Sequence, residues 1–77
     1  MKRPKGRYYF YPMGLWFTNG TFADFAADNL TPADGMQLGF YDGDLLFEGT
    51  VRFDPEHQKW KVDVDENTFR EYQADSI

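Results

Sequence analysis

Seventy-seven residues with a formal charge of −5 and no cysteine make one small domain without a disulfide framework, a thiolate nucleophile or a cysteine-type zinc site. So short a chain leaves little room for a large catalytic cleft. Its core must come from big side chains, and it has eight Phe, five Tyr and two Trp, each able to bury roughly 150–250 Å².

The net charge is unevenly spread. Lys2, Arg3, Lys5 and Arg7 are half of the eight Lys and Arg, and no further cation occurs before Arg52. Between them lie Asp24, Asp28, Asp34, Asp42, Asp44 and Glu48. The chain therefore reads as a mobile basic arm over residues 1–6 followed by one acidic domain over residues 7–77. The charged start is not followed by an apolar secretory segment, and no run reaches the ~20 apolar residues of a membrane span, so a cytoplasmic protein is expected. The Asn-x-Thr triplets at Asn19 and Asn29 are, in that setting, chance matches to a glycosylation pattern.

Taken in chain order, Arg7-Tyr8-Tyr9-Phe10-Tyr11 is a strand candidate ended by Pro12-Met13-Gly14. Leu15 to Thr18 resumes an extended pattern, and Asn19-Gly20 suits a two-residue hairpin turn. Phe22, Phe25 and Ala26 fall at helical spacing, which predicts a short helix over residues 22–29. Thr31-Pro32 with Gly35 as terminator predicts one helical turn. Met36, Leu38 and Phe40 alternate with Gln37, Gly39 and Tyr41, and Asp42-Gly43-Asp44 then makes a tight turn. In the next strand Phe47, Gly49, Val51 and Phe53 share the core face. Asp54 to Gln58 turns around Pro55. Trp60, Val62 and Val64 then face inward, with Lys59, Lys61, Asp63 and Asp65 outward. Glu66-Asn67 is expected to turn the chain into a closing strand over residues 68–72.

These elements predict a mainly β fold: a small antiparallel barrel or strongly bent sheet with one short helix. An open antiparallel α+β sheet is the alternative. The turn-strand-strand-strand layout from Thr31 to Val64 resembles that of SH3-like barrels, which implies a barrel as the expected closure.

Few residues point to catalysis. His57, the sole histidine, sits in a polar turn without a pocket or an orienting partner in sequence. Asp42, Asp44 and Glu48 miss the ligand spacing of a calcium loop, and Asp63, Asp65 and Glu66 read as a solvated face. No cofactor, metal site or catalytic residue is expected. Two binding readings remain. In the first, Asp42, Asp44 and Glu48 with Tyr41, Trp16 and Tyr72 form an acidic-aromatic surface for another protein that presents a basic face. In the second, Lys2, Arg3, Lys5 and Arg7 with Tyr9 and Tyr11 bind single-stranded nucleic acid by phosphate neutralisation and base stacking.

Overall fold

The computed structural model describes residues 3–71. Five elements follow one another: β1 (Arg7–Tyr9), α1 (Asn19–Ala27), β2 (Gln37–Asp42), β3 (Leu45–Asp54) and β4 (Lys59–Glu71). They form a mainly β structure around one four-stranded sheet of order β1-β2-β3-β4. β1 runs parallel to β2, whereas β2, β3 and β4 are antiparallel. The sheet is mixed and open, with β1 and β4 at its edges, so the expected antiparallel barrel is not closed. The physical reason lies in the first connection. A parallel neighbour cannot be reached by a hairpin and needs a crossover, which α1 and its flanking segments supply.

The helix begins three residues earlier than the spacing of its apolar residues predicts. Thr18 is its N-cap: the Thr18 side chain accepts from the Thr21 amide, and the Thr21 hydroxyl accepts from the Thr18 amide. This reciprocal box satisfies two amides at the helix start. Asn19-Gly20 therefore opens the helix instead of turning a hairpin. Thr21 and Phe25, one turn apart, are its buried residues. The preceding Leu15–Thr18 segment is no strand, although the Phe17 amide donates to the Trp60 carbonyl at 2.8 Å.

Two further expectations are corrected. The chain does not reverse at Glu66-Asn67. β4 continues through them with an irregularity, since Glu48 faces Asp65 while Leu46 faces Arg70. The Asp65 carboxylate accepts from the Asn67 amide, and the Thr68 hydroxyl accepts from the Glu48 amide that the displaced ladder leaves unpaired. The closing strand 68–72 is thus the end of β4 as far as Glu71. In the Thr31–Gly35 connector, the helical turn is replaced by a tight turn in which the Met36 amide donates to Ala33 O, with Gly35 at φ +90°.

The core is aromatic. Tyr8, Phe10, Phe17, Phe25, Phe40, Phe47, Val51 and Val62 form one buried cluster, with Trp60, Val64, Leu38 and Leu45 packed against it. Phe40 and Phe47, cross-strand partners, are fully buried with ring centroids 5.9 Å apart. Phe10 meets both Phe17 and Phe40 edge-on. Val51 and Val62, paired across β3 and β4, continue this face, as the alternation of both strands predicts.

Candidate functional site

Two carboxylates, Asp24 in α1 and Asp28 at its C-cap, fix how the sheet end is built. Asp24 and Asp28 lie one turn apart near the C-terminus of α1, where the helix dipole disfavours negative charge. Each is compensated by donors from elsewhere. One Asp24 carboxylate oxygen accepts from the Tyr9 amide at 2.8 Å and from the Tyr41 hydroxyl at 3.1 Å. Asp28 accepts from the Arg3 guanidinium and from the Tyr8 hydroxyl, both at 2.8 Å. The bond from Arg3, and then that from Tyr8, holds the Asp28 carboxyl below its ordinary range. Arg3 also donates to Asp24 O and lies 5.3 Å from the Tyr8 ring centre. In the described part of the 1–6 segment, Arg3 is engaged with α1 and Pro4 is buried, whereas Lys5 and Gly6 are exposed.

Arg7 is likewise turned inward. Its guanidinium lies over Gly39, donates to the carbonyls of Phe40 and Phe47 at 3.1 and 3.0 Å, and meets Glu48 at 2.8 Å. Arg70 bonds both oxygens of Glu48, at 3.2 and 3.1 Å. Two cations thus balance Glu48, and its carboxyl is held below the ordinary value of about 4.5, by Arg70 first and by Arg7 despite partial burial. A group depressed in the folded state contributes stability that is complete above its unfolded value and is lost as the pH falls through its folded value. A melting series from about pH 6 to about pH 2 should show Tm falling below about pH 4.5. Glu48→Gln should remove part of that fall, the rest coming from Asp28 and Asp54, which are depressed in the same direction. An unchanged acid limb in the variant would deny Glu48 this role.

At the open end of the sheet the aromatic and acidic residues converge. Tyr9 and Tyr41 are partners in the β1–β2 ladder, with rings edge-on at 5.8 Å. Burial raises the Tyr9 hydroxyl above its usual value, and the nearby Asp42 carboxylate and Tyr11 raise it further. Burial, followed by the bond to Asp24, raises the Tyr41 hydroxyl. Tyr11 is 47% exposed. Asp42 faces Leu45, and Leu45 faces Glu71, so carboxylates from β2 and β4 flank the same sheet end. Gly43, at φ +58°, turns the chain there and leaves Asp44 exposed. Neither Asp42, Asp44 nor Glu71 forms an ion pair among the described residues.

The six residues expected to form the protein-binding surface are thus only partly gathered. Tyr41, Asp42 and Asp44 come together. Glu48 is balanced by two arginines. Trp16 stands by the β3–β4 turn, 5.2 Å from the His57 ring, and β3 alone spans about 30 Å between the two ends at the ordinary rise of a strand. Tyr72 lies outside the described residues. Of the nucleic-acid set, Arg3 and Arg7 are engaged internally, Lys5 is exposed, Lys2 lies outside the described residues, and Tyr9 has both the Asp42 carboxylate and Tyr11 near it. No pattern in the sequence singles out Glu71. Only the pairing of β3 with the far end of β4 brings it to Leu45.

His57 has a structural part. The Asp54 carboxylate accepts from the amides of Glu56 and His57 and meets His57 Nδ1 at 3.0 Å. Asp54, Glu56 and His57 are grouped closely enough to offer three ligand atoms, but these bonds fasten an exposed turn and already use Asp54. Among the described residues no helix is long and apolar enough to cross a membrane. Comparison with protein families, curated proteins and solved structures finds no match for the chain.

Proposed function

We infer that the protein is a non-enzymatic interaction module of the cytoplasm that binds a basic surface of another protein through the acidic-aromatic end of its sheet. The gathering of Tyr9, Tyr41, Asp42 and the exposed Asp44 at one end of the sheet, with the exposed Tyr11 near Tyr9, carries this reading. Ring faces attract Lys and Arg, and unpaired carboxylates beside them add charge and direction. Asp44 and Glu71 extend the acidic rim. The same arrangement disfavours phosphate, because the Asp42 carboxylate is near Tyr9, one of the two tyrosines that a nucleic acid would need for stacking.

An amide-resolved NMR titration with an oligo-arginine peptide tests it. Saturable shifts should centre on Tyr9, Tyr41, Asp42 to Asp44 and Glu71. Asp42→Lys with Asp44→Lys should weaken binding at least about tenfold more than the equal charge change Glu56→Lys with Glu66→Lys placed elsewhere. Equal weakening by both pairs would reduce the effect to net charge and would reject the site.

A further inference from the structure

We propose that a second surface, the apolar groove beside the β3–β4 turn, receives a segment of another protein whose bulky apolar side chain is followed or preceded by a carboxylate. The groove has a volume of about 570 Å³ and is lined by Leu15, Trp16, Phe17, Phe22, Lys59 and Trp60, among others. Both tryptophans of the chain are in it. Leu15 is 70% exposed, Phe22 45%, and Met13, two residues before Leu15, 81%. So much apolar surface concentrated at one place on a small acidic protein marks a contact surface, and tryptophan is the side chain most often found to dominate such contacts.

Charge identifies the occupant. Lys59 is the one charged residue lining the groove. Its ammonium lies 5.6 Å from the centre of the Trp16 ring and has no ion-pair partner among the described residues. Asp54 faces Lys59 across the ladder, yet its carboxylate is taken up by the turn amides and His57. An entering ligand with an apolar anchor and an adjacent Asp or Glu would cover the rings and supply an anion for the Lys59 ammonium. A single cation on an aliphatic-aromatic wall, in a chain of charge −5, suits such a peptide better than a polyphosphate strand. This chemistry is opposite to that of the acidic end and does not depend on it.

Selection of a random displayed-peptide library on the full chain, followed by titration of the recovered peptides, tests the proposal. Trp16 and Trp60 make intrinsic fluorescence a direct reporter. Recovered peptides should carry a large apolar residue next to Asp or Glu. Leu15→Asp should weaken them at least about tenfold, as loss of an anchor contact does. Lys59→Glu, at an exposed position, should shift a repeated selection toward Lys or Arg at the flanking site while the melting temperature stays put. Asp42→Lys with Asp44→Lys should leave binding intact, which separates this surface from the acidic end. The proposal is overturned by a consensus without acidic residues or one that Lys59→Glu leaves unchanged. Tryptophan quenching by a single-stranded oligonucleotide in preference to the peptides, or concentration-dependent self-association that buries the tryptophans, would overturn it too.

Discussion

Phe40→Ala will remove a large share of the stability of the domain and sharply lower its urea midpoint. Phe40 is fully buried at the centre of the sheet, opposite Phe47 on β3 and beside Tyr8 on β1, with the Phe10 ring 6.1 Å away. Truncating such a ring removes its transfer free energy and leaves a cavity that three strands and their neighbours cannot close, at a cost of about 3–5 kcal/mol. Small domains rest on a margin of about 0.05–0.15 kcal/mol per residue, about 4–12 kcal/mol for 77 residues, so the loss removes a large share of it. Phe53→Ala supplies the contrast. Phe53 is 37% exposed near the end of β3, and its loss should shift the urea midpoint far less. A Phe40→Ala variant that unfolds at the parental midpoint would invert the β2 register, moving Gly39 and Tyr41 into the core.

Gly49→Ala should have the second largest effect, for the opposite reason. A Cβ at Gly49 would stand 2.5 Å from Val62 Cγ1 and 2.8 Å from the Asp63 carbonyl oxygen. Val62 is buried and Asp63 O is backbone, so neither can give way without moving β4 away from β3. The expected cost is in the upper part of the ~1–3 kcal/mol range for overpacking, and Gly49→Val should exceed it. Gly39→Ala is the control. Its Cβ would meet the Arg7 side chain at 3.0 Å, the far end of a flexible group, and the guanidinium can shift at the expense of its bonds to Phe40 O and Phe47 O. Urea denaturation of the two variants should place Gly49→Ala clearly below Gly39→Ala. The reverse order would mean that β3 and β4 are less closely apposed than this structure has them.

These two positions show where the amino-acid sequence is informative. Period-two alternation identifies Phe47, Gly49 and Val51 on one face and Trp60, Val62 and Val64 on the inward face of the next strand, because a one-residue slip would expose the whole set. Asp42-Gly43 identifies its turn because few residue pairs accept the required backbone angles. The parallel pairing of β1 with β2 is not legible in the same way. Three residues of β1 carry too little pattern to state a direction, and aromatic residues fit parallel and antiparallel neighbours alike. Asn19-Gly20 reads as a hairpin turn on local chemistry, but the Thr18–Thr21 box and the burial of Phe25 favour a helix start. The displaced ladder at Asp65 to Arg70 resembles a turn locally, since its Asp65–Asn67 bond is the kind that also closes turns.

The candidate site divides along the same line. Tyr41, Asp42 and Asp44 are neighbours in the chain and remain together. Arg7, Glu48 and Arg70 meet across strands far apart in sequence, so a count of charges assigns Glu48 to a protein-binding face and Arg7 to a nucleic-acid-binding set when each neutralises the other. Trp16 is an aromatic of the kind that anchors contacts, but it belongs to the groove at the other end of β3. Distances along a chain do not report such exchanges of partner. Ladder register does.

The central inference, that the acidic-aromatic end meets a basic protein, is tested most directly by quantitative capture from a lysate of the encoding organism, with and without nuclease. The wild-type chain and the Asp42→Lys, Asp44→Lys variant would be compared by mass spectrometry. The expected result is a discrete basic partner that resists nuclease, is depleted by the charge reversal, and persists with Glu56→Lys, Glu66→Lys. Capture that disappears with nuclease, or a partner retained after the Asp42 and Asp44 reversal, would contradict it.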